Sequence, residues 1–215
     1  MTTSTGTTAP DAAAPAPATR QPVHIHVVEG LGTVTLTPLD PAADSGLVHA
    51  WVSEGRAAFC GTGGVGRELV REAYEALDRR TTRHAYLARC EGQPVALFQT
   101  YDCAEDRVGG CYEVRPGDIG VHLLIDPDHG GAEQALPTAL SNVFLTYLLS
   151  EPSVRRVVAE PDARDDGAMD RLQRTGFTLG PEVELPEIDL PGGRLPAKRA
   201  RLLTLDVSGA LPEIR

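Results

Sequence analysis

The chain has 215 residues and a formal net charge of −10, from 30 acidic and 20 basic residues. This length fits one domain, and an apolar share of 41% is enough for a buried core. The acidic balance argues against a nucleic-acid partner, because phosphate backbones are bound by basic surfaces. No apolar run approaches the ~18 residues of a membrane span, so no membrane partner is expected.

The first 22 residues are rich in threonine, alanine and proline and lack the basic start and apolar run of a secretion signal. Such a composition cannot bury a core. We therefore expect a disordered tail over residues 1–22 and a single domain over residues 23–215. The four cysteines form no Cys-x-x-Cys pair and have no zinc-site spacing, which favours reduced thiols in a cytoplasmic protein.

The first elements in chain order are a strand and a helix. Residues 32–40, GTVTLTPLD, alternate apolar and polar side chains and predict a strand, and residues 41–52 predict a helix. The following Gly61–Gly66 run fits the G-x-G-x-x-G spacing of dinucleotide-binding loops. Such a loop follows a buried strand, and the preceding SEGRAAFC is a poor one. The run is interpreted as a glycine-rich turn that opens a helix from Arg67 to Arg80.

The rest of the chain predicts a mixed succession of strands and helices. In chain order they are a hairpin over residues 84–102, a strand over 117–126, a helix over 133–151, a strand over 154–162, a helix over 167–177 and a strand over 199–207. Glu91-Gly92-Gln93 is the tight turn of the hairpin, and Gly176 closes the last helix. This mixed order indicates an α/β sandwich.

His122 lies in the apolar strand GVHLLI and shares a face with Gly120 and Leu124, because side chains alternate along a strand. A glycine beside it would leave room for a ligand next to the ring. Pro161 stops the pairing of the next strand, which places Asp162 at the mouth of any gap between the two. A histidine and a carboxylate suit proton transfer near neutral pH. The alternative is a core histidine before an ordinary turn, and periodicity alone does not decide between them.

Five stretches together resemble the GCN5-related N-acetyltransferase (GNAT) superfamily, and within it the acyltransferases of hydroxamate siderophore biosynthesis, of the aerobactin, mycobactin and desferrioxamine kind. They are HAW (49–51), GQPVALFQTYD (92–102), GDIGVHLLI (117–125), VRRVVAEPDARD (154–165) and LPAKRARLL (195–203). They occur in family order. The resemblance implies an α/β fold with a mixed central sheet flanked by helices and a V-shaped splay between the two central parallel strands.

The resemblance also implies an activity, an N-acyltransferase that uses acyl-CoA, either acetyl-CoA or succinyl-CoA, and no metal. The acceptor would be N-hydroxylysine or an N-hydroxy-diamine such as N-hydroxycadaverine. His122 would take the proton from the attacking nitrogen, and Asp162 would orient the base or hold the substrate. A backbone N–H near Leu124 would hold the thioester oxygen.

The donor site implied by the resemblance departs from the family pattern. It comprises Leu124, Ile125, Gly130, Gly131, Ala132, Ala135 and Asp165. In GNATs the loop after the central strand carries a basic residue and glycines, and its N–H groups hold the pyrophosphate. Here the basic residue is missing and Asp126, Asp128 and Glu133 add negative charge. We therefore expect CoA compounds to bind weakly for this fold.

The acceptor side is less sharply defined by the resemblance, which assigns Trp51, Gln99 and Tyr101 to it. His24 and His26 share a face of a possible strand, but without a third ligand they do not predict a metal site. The expected partner is a small amine or hydroxylamine, bound by a monomer or homodimer. Two alternatives stay open: an aminoglycoside-type or other small-amine N-acetyltransferase, and a GNAT-like domain with a degenerate CoA site that acts in binding or scaffolding.

Overall fold

The computed structural model describes residues 20–53, 66–126, 135–190 and 193–207. The helices are α1 (Pro41–Ser53), α2 (Arg67–Asp78), α3 (Ala135–Leu149) and α4 (Asp166–Arg174). The strands are β1 (His24–Val28), β2 (Gly32–Pro38), β3 (Arg83–Cys90), β4 (Gln93–Asp102), β5 (Asp118–Ile125), β6 (Arg156–Ala159), β7 (Thr178–Leu185), β8 (Ile188–Leu190), β9 (Gly193–Leu195) and β10 (Lys198–Asp206). Within these ranges the main sheet has the order β1-β2-β3-β4-β5-β6-β10-β7, and β8 and β9 form a separate hairpin.

The predicted succession of elements is confirmed, with shifts at the ends. The turn between β3 and β4 lies at Glu91 and Gly92, whose φ angles of 48° and 82° are those of a two-residue hairpin turn. Strand β6 is shorter than predicted, and α2 ends at Asp78 rather than Arg80. Strand β1 precedes the strand that the sequence placed first. Its His24 and His26 rings stack at 5.9 Å.

The splay predicted for the centre of the sheet is present between β5 and β6, the one parallel pair in the described sheet. These strands pair only through Asp118 with Arg156, Ile119 with Val157, and Gly120 with Val158. Beyond Gly120, β5 continues to Ile125, whereas β6 ends at Ala159. Proline at position 161 has no N–H to extend the ladder, so the two strands separate and leave a V-shaped opening.

The two faces of the sheet are covered by different helices. On one face α3 packs its apolar side chains on the strands, and the Phe98 and Phe144 rings stack at 4.0 Å. On the other face α1 and α2 cover Leu97, Leu87 and their neighbours. Because His122 and Leu124 share a face of β5 and Leu124 packs on the α1–α2 cluster, His122 opens toward the α1–α2 side.

Several predictions concern residues outside the described ranges. They are residues 1–19 of the expected tail, residues 61–65 of the glycine run, Cys60, and the loop of residues 127–134. The other three cysteines, Cys90, Cys103 and Cys111, form no disulfide. None of the helices in the described parts of the chain has the length and apolar character needed to cross a bilayer.

Candidate active site

His122 stands at the point where the splay opens. It lies two residues beyond Gly120, the last residue of β5 that pairs with β6. On the other side of β5 it is paired with Gln99 of β4. Its side chain is 43% exposed, so one side of the imidazole ring is open to solvent. A half-exposed histidine on a strand with one free edge is accessible to a ligand, which a core histidine is not.

The carboxylate that contacts His122 belongs to Glu160, the residue after β6. Its Oε1 pairs with Nε2 of the His122 ring, and the glutamate side chain is 3% exposed. The strand register explains this pairing. Gly120 is opposite Val158, and two further residues along each parallel strand lead to His122 and Glu160 on the same face.

Glu160 has two further polar neighbours. The Tyr101 hydroxyl donates a hydrogen bond of 2.5 Å to Oε2. The Lys198 ammonium donates one of 2.8 Å to the Glu160 backbone carbonyl and brings a positive charge close. Burial alone would raise the pKa of Glu160, but the charge and hydrogen bond of His122, together with Lys198 and Tyr101, outweigh it and lower the pKa to about 2. Glu160 is therefore ionised at neutral pH.

The expected contact between Asp162 and His122 is corrected by this geometry. Asp162 accepts hydrogen bonds from the Arg164 side chain at 2.8 and 2.9 Å and from its backbone N–H at 2.9 Å. Its backbone forms an isolated bridge with Ala200 of β10. At Asp162 the chain has turned toward β10. The Asp162 carboxylate therefore stabilises this turn through Arg164, whereas the Glu160 carboxylate contacts His122.

The role of Gly120 also differs from the expected one. A Cβ at this position would lie 2.0 Å from Cε2 and 2.2 Å from Cζ of Tyr101. The space beside the glycine is therefore filled by the Tyr101 ring, not left for a ligand. Tyr101 is 1% exposed, and its ring centroid lies 4.9 Å from that of His122. Gly120 lets the tyrosine pass under the histidine and reach Glu160.

Of the three expected acceptor residues, Gln99 is paired with His122, whereas Tyr101 and Trp51 are both buried, at 1% and 4% exposure. Gln99 donates a hydrogen bond of 2.6 Å from Nε2 to the Tyr74 hydroxyl on α2. Trp51 is 4% exposed and packs in the apolar cluster between α1, α2 and the sheet. Trp51 and Tyr101 therefore occupy core positions in the described structure, and their contact with a substrate stays a prediction.

The expected donor residues are only partly within the described ranges. Leu124 and Ile125 lie on the unpaired half of β5, on opposite faces. Asp165 caps α4 and accepts a hydrogen bond of 2.9 Å from the Ala168 N–H. Ala135 begins α3, while Gly130, Gly131 and Ala132 lie outside the description. Within the described ranges, no group of three or more His, Cys, Asp and Glu side chains could hold a metal ion.

The mixed sheet that splays at its parallel pair, β5 and β6, has the architecture expected for an acyltransferase of the GNAT type. Residues 40–185 match the acetyltransferase (GNAT) domain family. The chain belongs to this family.

Two curated relatives and one solved structure extend this finding. The chain is 29% identical over 170 residues to the N(6)-hydroxylysine O-acetyltransferase of Escherichia coli, covering 78% of this chain and 50% of the relative. It is 26% identical over 161 residues to the lysine N-acyltransferase MbtK of Mycobacterium sp. (strain MCS), covering 67% and 59%. The chain thus spans about half the length of the curated relatives it matches.

The aminoglycoside acetyltransferase AAC(6′)-Ib in complex with coenzyme A superposes with a TM-score of 0.64. The two proteins are 19% identical, and the match covers 81% of this chain and 95% of that one. At this identity the likeness shows a shared fold. The fold of this chain is therefore one that accommodates coenzyme A in a related structure.

Proposed function

We propose that the chain is an acyl-CoA-dependent N-acyltransferase that acylates an N-hydroxylated amine in hydroxamate siderophore biosynthesis. The observation that carries the proposal is the His122 ring, which stands exposed in the splay with the buried Glu160 carboxylate behind it. The acceptor is N-hydroxylysine or an N-hydroxy-diamine such as N-hydroxycadaverine. The name of the Escherichia coli relative supports an N-hydroxylated acceptor, and the name of the mycobacterial relative supports N-acylation of a lysine-type amine. A net charge of −10 also favours a cationic acceptor.

The half of β5 that is not paired with β6 supports the choice of donor. When bound, acyl-CoA supplies an acyl group activated as a thioester. From Val121 to Ile125 no described strand pairs with the β6 side of β5, so backbone N–H and C=O groups on that side are available to amide groups of the donor. In this proposal a backbone N–H near Leu124 holds the thioester oxygen.

His122 acts as the base in this proposal. The nitrogen of a hydroxylamine is less basic than that of an alkylamine, so it is largely neutral in the cell. His122 need only accept the proton as the C–N bond forms, a contribution typically worth ~10²–10⁴-fold in rate. The ionised Glu160 stabilises the positive charge that develops on the ring.

Gln99 is suited to recognise the acceptor hydroxyl. It lies directly opposite His122, and its Nε2 already donates a hydrogen bond to the Tyr74 hydroxyl. Its Oε1 has no partner among the described residues, so it can accept a hydrogen bond from the N–OH group. Truncation at Gln99 should then weaken the preference for hydroxylated over plain amines more than it weakens turnover.

A panel of donors and acceptors tests the proposal. Acetyl-CoA and succinyl-CoA are each combined with N-hydroxylysine, N-hydroxycadaverine, cadaverine, lysine and an aminoglycoside. We expect an N-hydroxylated amine to be the best acceptor and the product to be a hydroxamate. Hydroxamates chelate ferric iron with a coloured band, whereas O-acylated products do not, so the assay also separates N- from O-transfer.

Two outcomes of the panel would contradict the proposal. Preference for the aminoglycoside or for plain amines would assign the chain to another acceptor class. If no CoA compound raises the melting temperature, the domain does not bind the donor, because a ligand that binds only the folded state must stabilise it. That outcome would favour a binding or scaffolding role.

A further inference from the structure

We propose that Glu160, held by Tyr101, is a positioning residue that fixes His122 with its hydrogen on Nε2, so that Nδ1 is the atom that accepts the proton from the acceptor. The assignment of the reaction rests on the proposed function. The assignment of the tautomer rests on the geometry around Glu160.

The Glu160 carboxylate is the acceptor in both of its side-chain contacts. An ionised carboxylate can only accept hydrogen bonds. The Tyr101 hydroxyl donates to Oε2, and the His122 Nε2 meets Oε1. A neutral His122 ring must therefore carry its hydrogen on Nε2 to satisfy this contact. The lone pair is then on Nδ1, the nitrogen that Glu160 does not engage.

The ionised state and position of Glu160 are fixed by its surroundings. Its side chain is 3% exposed, and Lys198 places a positive charge beside its backbone. Burial and the neighbouring Glu160 charge raise the pKa of Tyr101 well above its usual value, so the phenol keeps the proton it donates. The Tyr101 ring cannot shift away easily, because it is buried against Gly120.

Asp162, the other carboxylate near the end of β6, does not orient His122. Both oxygens of Asp162 are engaged by Arg164, at 2.8 Å for Oδ1 and 2.9 Å for Oδ2. It forms no hydrogen bond or ion pair with His122. Of these two carboxylates, both buried, Glu160 is the one that contacts the His122 ring through one oxygen and accepts a hydrogen bond from Tyr101 on the other.

The proton transfer that follows is balanced at named atoms. The nitrogen lone pair of the acceptor forms the C–N bond, and the electron pair of the breaking C–S bond leaves on sulfur. The proton released from nitrogen passes to Nδ1 of His122. The ring then carries hydrogens on both nitrogens, and Glu160 still accepts the one on Nε2. The carboxylate therefore stays ionised throughout and gains a charged partner during the step.

The test reads the tautomer directly and the rate separately. Protein labelled with ¹⁵N-histidine gives long-range ¹⁵N–¹H correlations whose pattern identifies the protonated nitrogen, with His122→Gln used to assign the His122 signals. We expect the neutral ring in the wild type to be a single Nε2–H tautomer. In Glu160→Gln we expect a mixture of tautomers and a fall in kcat of about 10²-fold or more, since a comparable loss follows when a carboxylate orienting a catalytic histidine is neutralised.

Matched variants separate positioning from folding. Asp170→Asn removes an exposed carboxylate from α4 and should leave tautomer and kcat unchanged. Asp162→Asn should cost less in kcat than Glu160→Gln and should keep the Nε2–H tautomer. Tyr101→Phe removes one hydroxyl and no ring packing. It should admit some of the Nδ1–H tautomer and lower kcat by a smaller factor than Glu160→Gln, even if the glutamine variant does not fold.

Three results would overturn the inference. The first is an Nδ1–H tautomer in the wild type. The second is an unchanged tautomer in both Glu160→Gln and Tyr101→Phe. The third is a larger loss of kcat in Asp162→Asn than in Glu160→Gln, which would make Asp162 the partner. Because the tautomer is measured without turnover, an Nε2–H ring in a protein inactive on every N-hydroxylated amine would support the positioning role and reject the proposed function.

Discussion

The two halves of β5 have opposite environments. Its first three residues, Asp118 to Gly120, are all paired with β6. On the other side of the strand, Ile119 and Gly120 are also paired with β4. Its last five residues, Val121 to Ile125, are paired with β4 alone. In the closed half the one polar side chain, Asp118, has its hydrogen-bond partners inside the protein, whereas the open half presents His122 at 43% exposure. The same strand thus supplies stability at one end and an accessible reactive group at the other.

Asp118 shows how the closed half is held. Its carboxylate accepts hydrogen bonds from Arg156 Nε at 2.8 Å, from the Tyr112 hydroxyl at 3.0 Å and from the Arg115 N–H at 2.9 Å. Burial alone would raise the pKa of Asp118, but these donors and the Arg156 charge outweigh it, and the pKa is lowered. A carboxylate with so many internal partners has no capacity left for a substrate.

The largest expected effect comes from the open half. His122→Ala should lower kcat by ~10²–10⁴-fold, the usual contribution of a general base. Its melting temperature should also fall, because the buried Glu160 carboxylate loses its His122 partner and keeps only the Tyr101 hydroxyl on its other oxygen. Turnover is therefore measured at a temperature where thermal unfolding shows the variant to be folded. A kcat equal to that of the wild type under these conditions would remove His122 from the mechanism.

The matching change in the closed half should cost stability and leave kcat nearly unchanged. Asp118→Ala leaves the Arg156 guanidinium without its buried partner, and breaking such a pair typically costs about 3–5 kcal/mol of unfolding free energy. The kcat of the molecules that remain folded should change little. Urea unfolding and turnover below the transition would measure both. A loss of kcat as large as that of His122→Ala would erase the distinction between the halves.

Gly120 lies at the junction of the two halves, and Gly120→Ala should impair both. The new methyl group would overlap the Tyr101 ring, and overpacking of this kind costs typically ~1–3 kcal/mol. Displacement of Tyr101 from Glu160 should also reduce kcat. Gly110→Ala is the matched control, because nothing lies within 4 Å of a Cβ at that position. Wild-type behaviour of Gly120→Ala would show that the close approach of the ring is not needed.

The smallest expected effect is a difference between the wild type and Glu160→Gln in how the unfolding free energy depends on pH. The pKa of Glu160 is lowered to about 2 in the folded protein from its ordinary value of 4.5, because the His122 charge and hydrogen bond outweigh the cost of burial. A lowered pKa gives stability that is fully present above the unfolded value and is lost as the pH falls through the folded one. The difference in unfolding free energy between wild type and Glu160→Gln should therefore shrink from pH 5 toward about pH 2. A difference that stays constant over that range would contradict an ionised, stabilised Glu160.

The sequence was sufficient for the architecture and for the position of His122 on β5, and insufficient for the carboxylate that contacts it. The catalytic role of His122 stays a prediction. Alternation and turn residues predict the hairpin at Glu91 and Gly92 and the strand that carries His122. The partner depends on the register between two strands 38 residues apart at the contact, which no local pattern encodes. Asp162 stands after a proline and suggests a loop carboxylate, whereas the register brings Glu160 to the histidine.

Close packing explains the other differences between expectation and structure. A glycine beside a functional histidine suggests free space, but only the fold reveals that the Tyr101 ring occupies it. Trp51 resembles a contact residue until its helix is placed on the sheet and its ring is found buried. Both cases depend on which side chains meet across elements, and that information is tertiary.

The most direct test of the account is kcat/KM for acyl transfer to N-hydroxycadaverine, measured on wild type and His122→Ala under the same conditions. The value should be ~10²–10⁴-fold lower in His122→Ala, because the variant lacks the ring nitrogen that accepts the proton as the C–N bond forms. An equal kcat/KM in the two proteins would remove His122 from the mechanism.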